Sequence, residues 1–345
     1  MIGYYVHHHG SGHLQRATAI AAAARTPVVG LSCRAAPAGW SGRWVRLPDD
    51  ADGVRGDLDP DAADVTAGGT LHWAPRRHTG LLARMRLIGE ALPDVALLVV
   101  DVSVEVAVLA RLHGVPVVIM AQPGDRTDRP HRLAYDLAER LLAPWPDRPE
   151  PGWPAHWLAK TVHLGAVSRF DGRPAPAHRP DRNRVAVLWG GGGLDVRADD
   201  LRAAAAATPR WRWDVLGPSP SSPSAGNPSG PGDLTWHGWV DDVWPRLCSA
   251  DVVITHAGQN ALAEVAAARA PAVVVPQDRP HGEQHATAAA LRRADLAEVA
   301  PTWPAPADWP HLLDRAAARG GAGWHRWSPG DGAARAAAVL DGLAR

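Results

Sequence analysis

The chain has 345 residues, which at about 150 residues per domain is enough for two domains. Its 36 basic and 36 acidic residues give a formal net charge of zero, so no long-range field favours nucleic acid or an anionic membrane as a partner. The chain shows neither an apolar run of about 18 residues nor a basic leader, and we expect a cytoplasmic protein without an integral membrane segment. Cys33 and Cys248 have no neighbours at metal-ligand spacing, and we expect both to be reduced packing residues.

The first predicted strand covers residues 1–6, and the chain then turns into a helix at Gly10, Ser11 and Gly12. His13 follows this turn at the start of the helix, where the carboxyl end of the strand exposes it to a ligand. His13 is therefore a candidate for a chemical role. The alternative is a helix-start histidine that contacts only solvent or a diphosphate.

Three further histidines, His7, His8 and His9, precede the turn. If the strand continues through them, their side chains alternate in direction and cannot all face one metal ion. A metal site is therefore the less favoured interpretation of this triplet.

The next predicted elements are strands at 27–32, 44–46 and 95–100 and a helix at 78–92. The stretch 48–72 has no clear pattern and is expected to form loops. Asp101 follows the third of these strands, where a buried carboxylate is unfavourable unless it is paired. Asp101 is thus a candidate partner for His13, and it could also cap the predicted helix at 102–112.

The rest of the first half predicts a strand at 115–120, a helix at 131–142 and a closing strand at 162–165. Three tryptophans between the last two elements could form an aromatic surface, although core packing is the more usual role: Trp145, Trp153 and Trp157. The proline-rich, aperiodic stretch 168–182 is the best candidate for a linker between domains.

The second half opens with a strand at 184–189 that runs into four glycines. Gly191 and Gly192, in the middle of that run, are candidates for a loop that wraps phosphate or lets two substrates approach. A strand at 213–216 follows, and then a Ser/Pro/Gly stretch at 217–232 that is expected to be a loop.

The most informative stretch runs from 251 to 284. An apolar strand at 251–254 is followed by Gly258, an alanine-rich helix that Pro271 ends, a second strand at 272–275 and another helix from about Glu283. This is the pattern of a parallel strand–helix–strand unit, which places ligands beyond the carboxyl ends of its strands.

The polar residues at those strand ends suit a nucleotide sugar. Backbone N–H groups at the start of the helix favour a diphosphate, a carboxylate one to two turns later can accept two ribose hydroxyls, and an acid–amide pair can hold sugar hydroxyls. In chain order these candidates are His256, Gly258, Gln259, Asn260, Glu264, Glu283 and Gln284.

The order His256-x-Gly258-x-Asn260, then Glu264, then the Glu283-Gln284 pair resembles the donor-site signature of GT-B glycosyltransferases of families 1 and 28. The alternative is an ordinary strand–helix–strand unit in which Glu264 is solvated and His256 caps a loop. Upstream, Trp239 and Val240 resemble the element that binds the nucleotide base in family 1, although this chain has Asp-Asp where those enzymes often carry Pro-Gln. A core aromatic is the alternative for Trp239.

The resemblance implies an α/β fold of two Rossmann-like domains that face each other across a cleft. The implied domains are an acceptor-binding domain at 1–167, a linker at 168–182, a nucleotide-sugar-binding domain at 183–329 and a C-terminal helix at 330–345 that crosses back to the first domain.

The implied activity is inverting transfer of a sugar from a UDP- or dTDP-linked donor to a small-molecule or lipid-linked acceptor, without a metal or other cofactor. The resemblance makes His13 the general base, Asp101 its partner, and Gly10, Ser11 and Gly12 a loop on the acceptor side. Two alternatives stay open: an epimerase or hydrolase of nucleotide sugars on the same fold, and a non-catalytic auxiliary protein that binds a nucleotide sugar.

Overall fold

The computed structural model describes residues 1–8, 11–50, 64–174, 183–189, 195–217 and 234–345. The chain forms two compact units. Unit 1 contains Met1–Leu164 together with Gly332–Arg345, and unit 2 contains Gly165–Asp331. Residues 175–182 of the predicted linker lie outside the described part of the chain.

Unit 1 is built on a sheet of seven parallel strands in the order β3-β2-β1-β4-β5-β6-β7. The strands are β1 (Ile2–Val6), β2 (Val28–Ser32), β3 (Trp44–Arg46), β4 (Leu97–Asp101), β5 (Val117–Met120), β6 (Arg140–Ala143) and β7 (Thr161–His163). Every residue of β1 and β4 is buried, as expected for central strands of a parallel sheet with helices on both faces.

The described helices of unit 1 are α1 (Gly12–Ala23), α2 (Thr79–Ala91), α3 (Val104–Leu112), α4 (Arg129–Leu137), α5 (Ala155–Lys160) and α11 (Gly332–Leu343). The prediction of one helix over 131–142 was wrong. Asp128 is the N-cap, so the helix begins at Arg129, two positions earlier than predicted. Ala138 is extended, so α4 ends at Leu137. The apolar residues after it are buried beside β5 as β6, because pairing with a neighbouring strand overrides local helix propensity.

The three tryptophans of unit 1 form part of its core and not an aromatic surface. Trp145, Trp153 and Trp157 are all buried. Trp153 and Trp157 lie with their ring centroids 5.5 and 5.0 Å from that of Tyr135, in edge-to-face contacts. Core packing, the more usual role, is thus the one observed.

The C-terminal helix α11 belongs to unit 1 and packs against α1. Asp341 of α11 accepts the backbone N–H of Arg25 at 3.0 Å and that of Thr26 at 2.8 Å, just beyond the end of α1. Burial would raise the pKa of Asp341, but these hydrogen bonds lower it to about 2. An ionised carboxylate therefore ties the last helix to the first.

Replacing Asp341 with asparagine is expected to lower the free energy of unfolding by about 1–3 kcal/mol at neutral pH, because two backbone donors lose a charged acceptor. Since the folded-state pKa is depressed to about 2, the stabilisation is present above about pH 4 and is lost as the pH falls towards 2. Urea unfolding of both proteins at pH 7 and pH 3 measures this. A difference that does not shrink at pH 3, or an equal loss in the exposed control Asp94→Asn, would contradict it.

Unit 2 is built on six parallel strands in the order β10-β9-β8-β11-β12-β13. They are β8 (Arg184–Leu188), β9 (Arg212–Leu216), β10 (Leu234–Gly238), β11 (Val252–Thr255), β12 (Ala272–Val274) and β13 (Glu298–Val299). The described helices are α6 (Ala198–Ala207), α7 (Trp244–Ser249), α8 (Gln259–Ala267), α9 (Glu283–Arg293) and α10 (Trp309–Arg319). Its core combines valines of the central strands with Trp211, Trp213 and Trp309.

The two strand orders carry the same consequence for ligand binding. In each sheet the chain runs outwards from a central strand to one edge and then returns to the other side of that strand. The reversal lies between β1 and β4 in unit 1 and between β8 and β11 in unit 2. Ligands of open α/β sheets bind beyond the carboxyl ends of the strands at such a switch point.

Among the described residues, no helix has the length and hydropathy needed to cross a bilayer.

Candidate active site

The switch point of unit 1 brings His13 and Asp101 together. Asp101 is the last residue of β4, fully buried, and pairs in register with Val6 at the end of β1. The chain passes from β1 into α1, whose second residue is His13, and His13 Nδ1 lies 2.9 Å from Asp101 Oδ1. Because a carboxylate can only accept, this contact requires a proton on Nδ1, and in the neutral imidazole Nε2 then carries the lone pair. The side chain of His13 is 22% exposed, so a substrate can reach it.

The alternative interpretation, in which Asp101 caps the following helix, is wrong. Ser103 is the N-cap of α3, and its hydroxyl accepts the N–H of Val106 at 3.3 Å. Between them, Val102 has a φ of +64°, which is a genuine outlier for a β-branched residue. Such strain typically costs about 1–3 kcal/mol and is found where a structure holds a functional residue in place. Here it follows directly after Asp101.

Sequence reasoning missed Arg16, which binds the same carboxylate. Its buried guanidinium donates from Nη2 to Asp101 Oδ1 at 2.6 Å and from Nε to Oδ2 at 3.2 Å. Burial alone would raise the pKa of Asp101, but Arg16 and His13 hold it well below its usual range. The spacing of His13 and Arg16, three residues apart on one helix, is the signal that could have revealed the pair.

Among the described residues of unit 1, two groups of side chains have the composition of metal ligands. His8, Asp49 and Asp50 form one, and His72, Asp128 and His131 belong to the other. In each a cation is already close: Arg84 Nε lies 3.6 Å from Asp50, and Arg126 Nη1 lies 3.4 Å from His131 Nε2. These guanidinium groups oppose a second cation. The rings of His7 and His8 stack with their centroids 4.6 Å apart. His9 lies outside the described residues.

His131 is another histidine of unit 1 that has the form of a general base, since its Nδ1 lies 2.7 Å from Asp128 Oδ2. However, burial and the neighbouring Arg126 lower the pKa of His131 to about 4. A base of that strength takes up a proton poorly at neutral pH, so His13 is the better candidate.

In unit 2 the chain leaves β11 through a tight turn, in which His256 Nδ1 accepts the N–H of Gly258 at 2.9 Å. The turn explains why the sequence needs glycine at 258, because a Cβ there would lie 2.3 Å from His256 Cε1. Desolvation and Arg279 lower the pKa of His256 to about 4, so the imidazole is neutral at physiological pH. His256 thus holds a loop, as the alternative interpretation proposed.

The turn delivers the chain to the start of α8, where Gly258 is the N-cap and Gln259 and Asn260 form the first turn. This end of the helix has glycine as its N-cap, which offers no side-chain acceptor. Its N–H groups and the helix dipole therefore favour an anion at the carboxyl edge of the sheet.

Glu264 lies in the second turn of α8 and is only 7% exposed, so the alternative interpretation of a solvated helix residue is wrong. Burial raises the pKa of Glu264, while Arg169, whose Nε lies 2.8 Å from Oε1, opposes that rise. Arg169 also donates to the carbonyl oxygen of Asp241 at 3.0 Å. Arg169, which sequence reasoning missed, therefore links Glu264 to the segment that follows Trp239 and Val240.

Trp239 is not a core residue. It follows Gly238, whose φ of +63° turns the chain at the end of β10, and its side chain is 58% exposed. Trp236, two residues earlier, packs against the core instead. An exposed indole beside the carboxyl edge of the sheet offers a flat face on which an aromatic base can stack.

The two residues of the acid–amide pair at the start of α9 differ in their burial. Gln284 is buried, and its Oε1 accepts the N–H groups of Ala257 at 3.1 Å and Gln277 at 2.9 Å, which joins the loops after β11 and β12. Glu283, the first residue of α9, is partly exposed. Three of the predicted site residues lie outside the described residues: Gly10, Gly191 and Gly192. Of the acceptor-side turn, Ser11 and Gly12 are described and begin α1.

Residues 235–304 match the family model described as Glycosyltransferase family 28 C-terminal domain. A UDP-N-acetylglucosamine--N-acetylmuramyl-(pentapeptide) pyrophosphoryl-undecaprenol N-acetylglucosamine transferase of Yersinia pestis (strain Pestoides F) is 29% identical over 197 residues, which are 55% of this chain and 53% of that protein. The chain therefore spans about half the length of the curated relatives it matches.

Two solved structures resemble the whole chain. The glycotransferase of kitacinnamycin has a TM-score of 0.65 at 17% identity, covering 100% of this chain and 99% of that one. The spinosyn rhamnosyltransferase SpnG, complexed with thymidine diphosphate, has a TM-score of 0.62 at 19% identity, covering 99% of this chain and 96% of that one. At such identities the likeness establishes the fold. The protein therefore has the GT-B fold of two Rossmann-like α/β domains, and its residues 235–304 match the glycosyltransferase family 28 C-terminal domain.

Proposed function

We propose that the protein transfers a sugar from a UDP- or dTDP-linked donor to an acceptor hydroxyl, with inversion at the anomeric carbon. One observation carries the proposal: the segment that matches the family 28 domain contains Trp239, the start of α8 and Glu264 at one edge of the sheet of unit 2. These supply a stacking face, an anion site and a carboxylate, the three features that a nucleoside diphosphate needs.

The donor class also draws support from the relatives. The Yersinia pestis protein is named for UDP-N-acetylglucosamine and a pyrophosphoryl-undecaprenol acceptor, and SpnG was solved with thymidine diphosphate. We propose a pyrimidine nucleotide in the same place for this chain, and an acceptor that is either a small molecule or lipid-linked. A cytoplasmic location stays a prediction from the sequence.

In the proposed reaction His13 Nε2 takes the proton of the acceptor hydroxyl while its Nδ1–H remains bonded to Asp101. The acceptor oxygen forms a bond to the anomeric carbon, and the bond from that carbon to the diphosphate oxygen breaks. The N–H groups at the start of α8 stabilise the charge that develops on the departing diphosphate. In this proposal Glu283, which is partly exposed, contacts sugar hydroxyls, and Gln284 holds the loops after β11 and β12.

Nucleoside diphosphates test the proposed donor site directly. We expect UDP or dTDP to raise the melting temperature of the protein, since a ligand at about 100 times its Kd adds about 2.7 kcal/mol to the stability. ADP and GDP are the controls for general diphosphate binding. Stabilisation by none of the four would overturn the proposed function, and release of a free sugar or epimer without any acceptor would favour the epimerase or hydrolase.

We also propose that transfer needs no metal ion, because backbone amides and not a cation receive the diphosphate. Turnover is expected to be largely unchanged after treatment with EDTA and desalting. Strict dependence on an added divalent ion would contradict this. It would direct attention to the His8 and His72 groups and to Asp57 and Asp59, an Asp-x-Asp pair outside the described residues.

A further inference from the structure

We propose that Arg16 is a positioning residue, which fixes the Asp101 carboxylate so that the Nδ1–H tautomer of His13 is maintained. The inference rests on the proposed function, in which His13 is the general base. It adds a third member to the pair predicted from the sequence and gives the buried arginine a specific task.

The contacts of the Asp101 carboxylate support this role. Arg16 and His13 together engage both oxygens of Asp101: Nη2 and Nδ1 at Oδ1, and Nε at Oδ2. A planar guanidinium that holds both oxygens resists rotation of the carboxyl group, whereas His13 alone would hold it by one bond. Arg16 is 3% exposed and Asp101 is 0% exposed, so water cannot substitute for either partner.

The tautomer of His13 depends on which group Arg16 bonds to. Arg16 Nη2 lies 3.2 Å from His13 Nδ1, close enough to donate to that nitrogen if it carried a lone pair. That arrangement would put the ring proton on Nε2 and abolish the base. The distance from Nη2 to Asp101 Oδ1 is shorter, at 2.6 Å, so the carboxylate takes the guanidinium hydrogen and His13 donates beside it. Arg16 in this position therefore bonds to Asp101 and leaves His13 Nδ1–H as the second donor to the same oxygen.

The charges of the buried groups support the same role for Arg16. The charges of Arg16 and Asp101 cancel, so the buried group is neutral as long as His13 is neutral. Without Arg16 the buried carboxylate would have only His13 as a partner and would favour the imidazolium form, which cannot act as a base. Among the described residues, the other titratable groups that face the site are Tyr4 on β1, whose pKa burial raises well above its ordinary value, and His7, whose ring centroid lies 5.8 Å from that of His13.

Arg16→Met and Arg16→Lys separate the two contributions, because methionine removes both the charge and the fork while lysine keeps the charge. Arg84 offers a matched control: it is a fully buried arginine of the same unit, and it donates to Tyr5 Oη at 2.6 Å and to the carbonyl oxygen of Pro48 at 2.7 Å. Arg84→Met should cost comparable stability without touching Asp101.

The first readout is the ¹⁵N spectrum of the histidine rings, with the His13 signals assigned by comparison with His13→Ala. We expect the Nδ1–H tautomer in the unchanged protein and in Arg84→Met. In Arg16→Met we expect its population to fall in favour of imidazolium at neutral pH. The second readout is the pH–rate profile of transfer. Its acid limb should move to higher pH in Arg16→Met and stay close to its original position in Arg16→Lys, with kcat lowered by roughly 10–100-fold in both.

An unchanged His13 spectrum in both Arg16 variants, with no more loss of stability than in Arg84→Met, would overturn the inference and leave Arg16 a packing residue. If Arg16→Met does not fold, Arg16→Lys decides, because its lost fork should still lower kcat and perturb the tautomer. The spectrum needs no substrate. If the protein binds no nucleotide but the Arg16 variants show the tautomer change, the proposed function is refuted and the role of Arg16 stands. If the protein transfers sugar but the His13 spectrum is unchanged in those variants, the proposed function stands and the role of Arg16 is refuted.

Discussion

Replacing His13 with alanine is expected to lower the rate of sugar transfer by about 10²–10⁴-fold, the usual span for the loss of a positioned general base. Affinity for the donor should change little, because His13 belongs to unit 1 and the proposed donor residues to unit 2. Transfer kinetics with saturating donor, together with calorimetric titration of the nucleotide, separate the two effects. Full activity in His13→Ala would require another base, and His7 and His8 would be the next to test.

Asp101→Asn should lose much of the same factor, because a neutral amide stabilises the imidazolium less and can donate as well as accept, so it no longer fixes the Nδ1–H tautomer. The double variant should be far from additive, since the two side chains share one hydrogen bond and act as a unit. Losses that multiply independently would contradict the pair even if each residue mattered. Because Asp101→Asn also leaves Arg16 buried without its counter-charge, its melting temperature must be measured beside the rate.

Replacing Glu264 with alanine is expected to weaken binding of UDP or dTDP by roughly 1–3 kcal/mol, or about 5–150-fold in Kd, because buried ribose hydroxyls lose their acceptor. Glu264→Gln should weaken it less, since the amide keeps one acceptor oxygen. Isothermal titration calorimetry measures both. Unchanged affinity for every nucleoside diphosphate would remove Glu264 from the site.

Arg169 supplies the control for this prediction, because it contacts the same carboxylate from another part of the chain. If Glu264 binds ribose directly, Arg169→Met should weaken nucleotide binding less than Glu264→Ala does. Equal losses would show instead that Glu264 acts by holding Arg169 and, through the carbonyl oxygen of Asp241, the segment after Trp239.

The sequence alone predicted the strand–helix–strand unit of the donor region closely. The strand expected at 251–254 is Val252–Thr255, and the helix expected from about Glu283 begins at Glu283. These elements are determined locally: β-branched runs are bounded by glycine and proline, and the alanine-rich helix between them has no competing pattern. The same reasoning placed Asp101 at the end of a buried strand and inferred that it needed a partner, which the structure supplies in His13.

Only the tertiary structure decided how the charged groups are paired and which aromatic residues are exposed. Arg16 and Asp101 are 85 residues apart in the chain, and Arg169 reaches Glu264 from the stretch that had been predicted as a linker. Trp236 and Trp239 are only three residues apart, yet one packs on the core and the other is exposed, because β10 ends at Gly238 between them. Local patterns report backbone propensity and the burial of whole faces. A salt bridge between distant residues, or a single side chain at a strand end, depends on which strands become neighbours, and that is settled only when the sheet has formed.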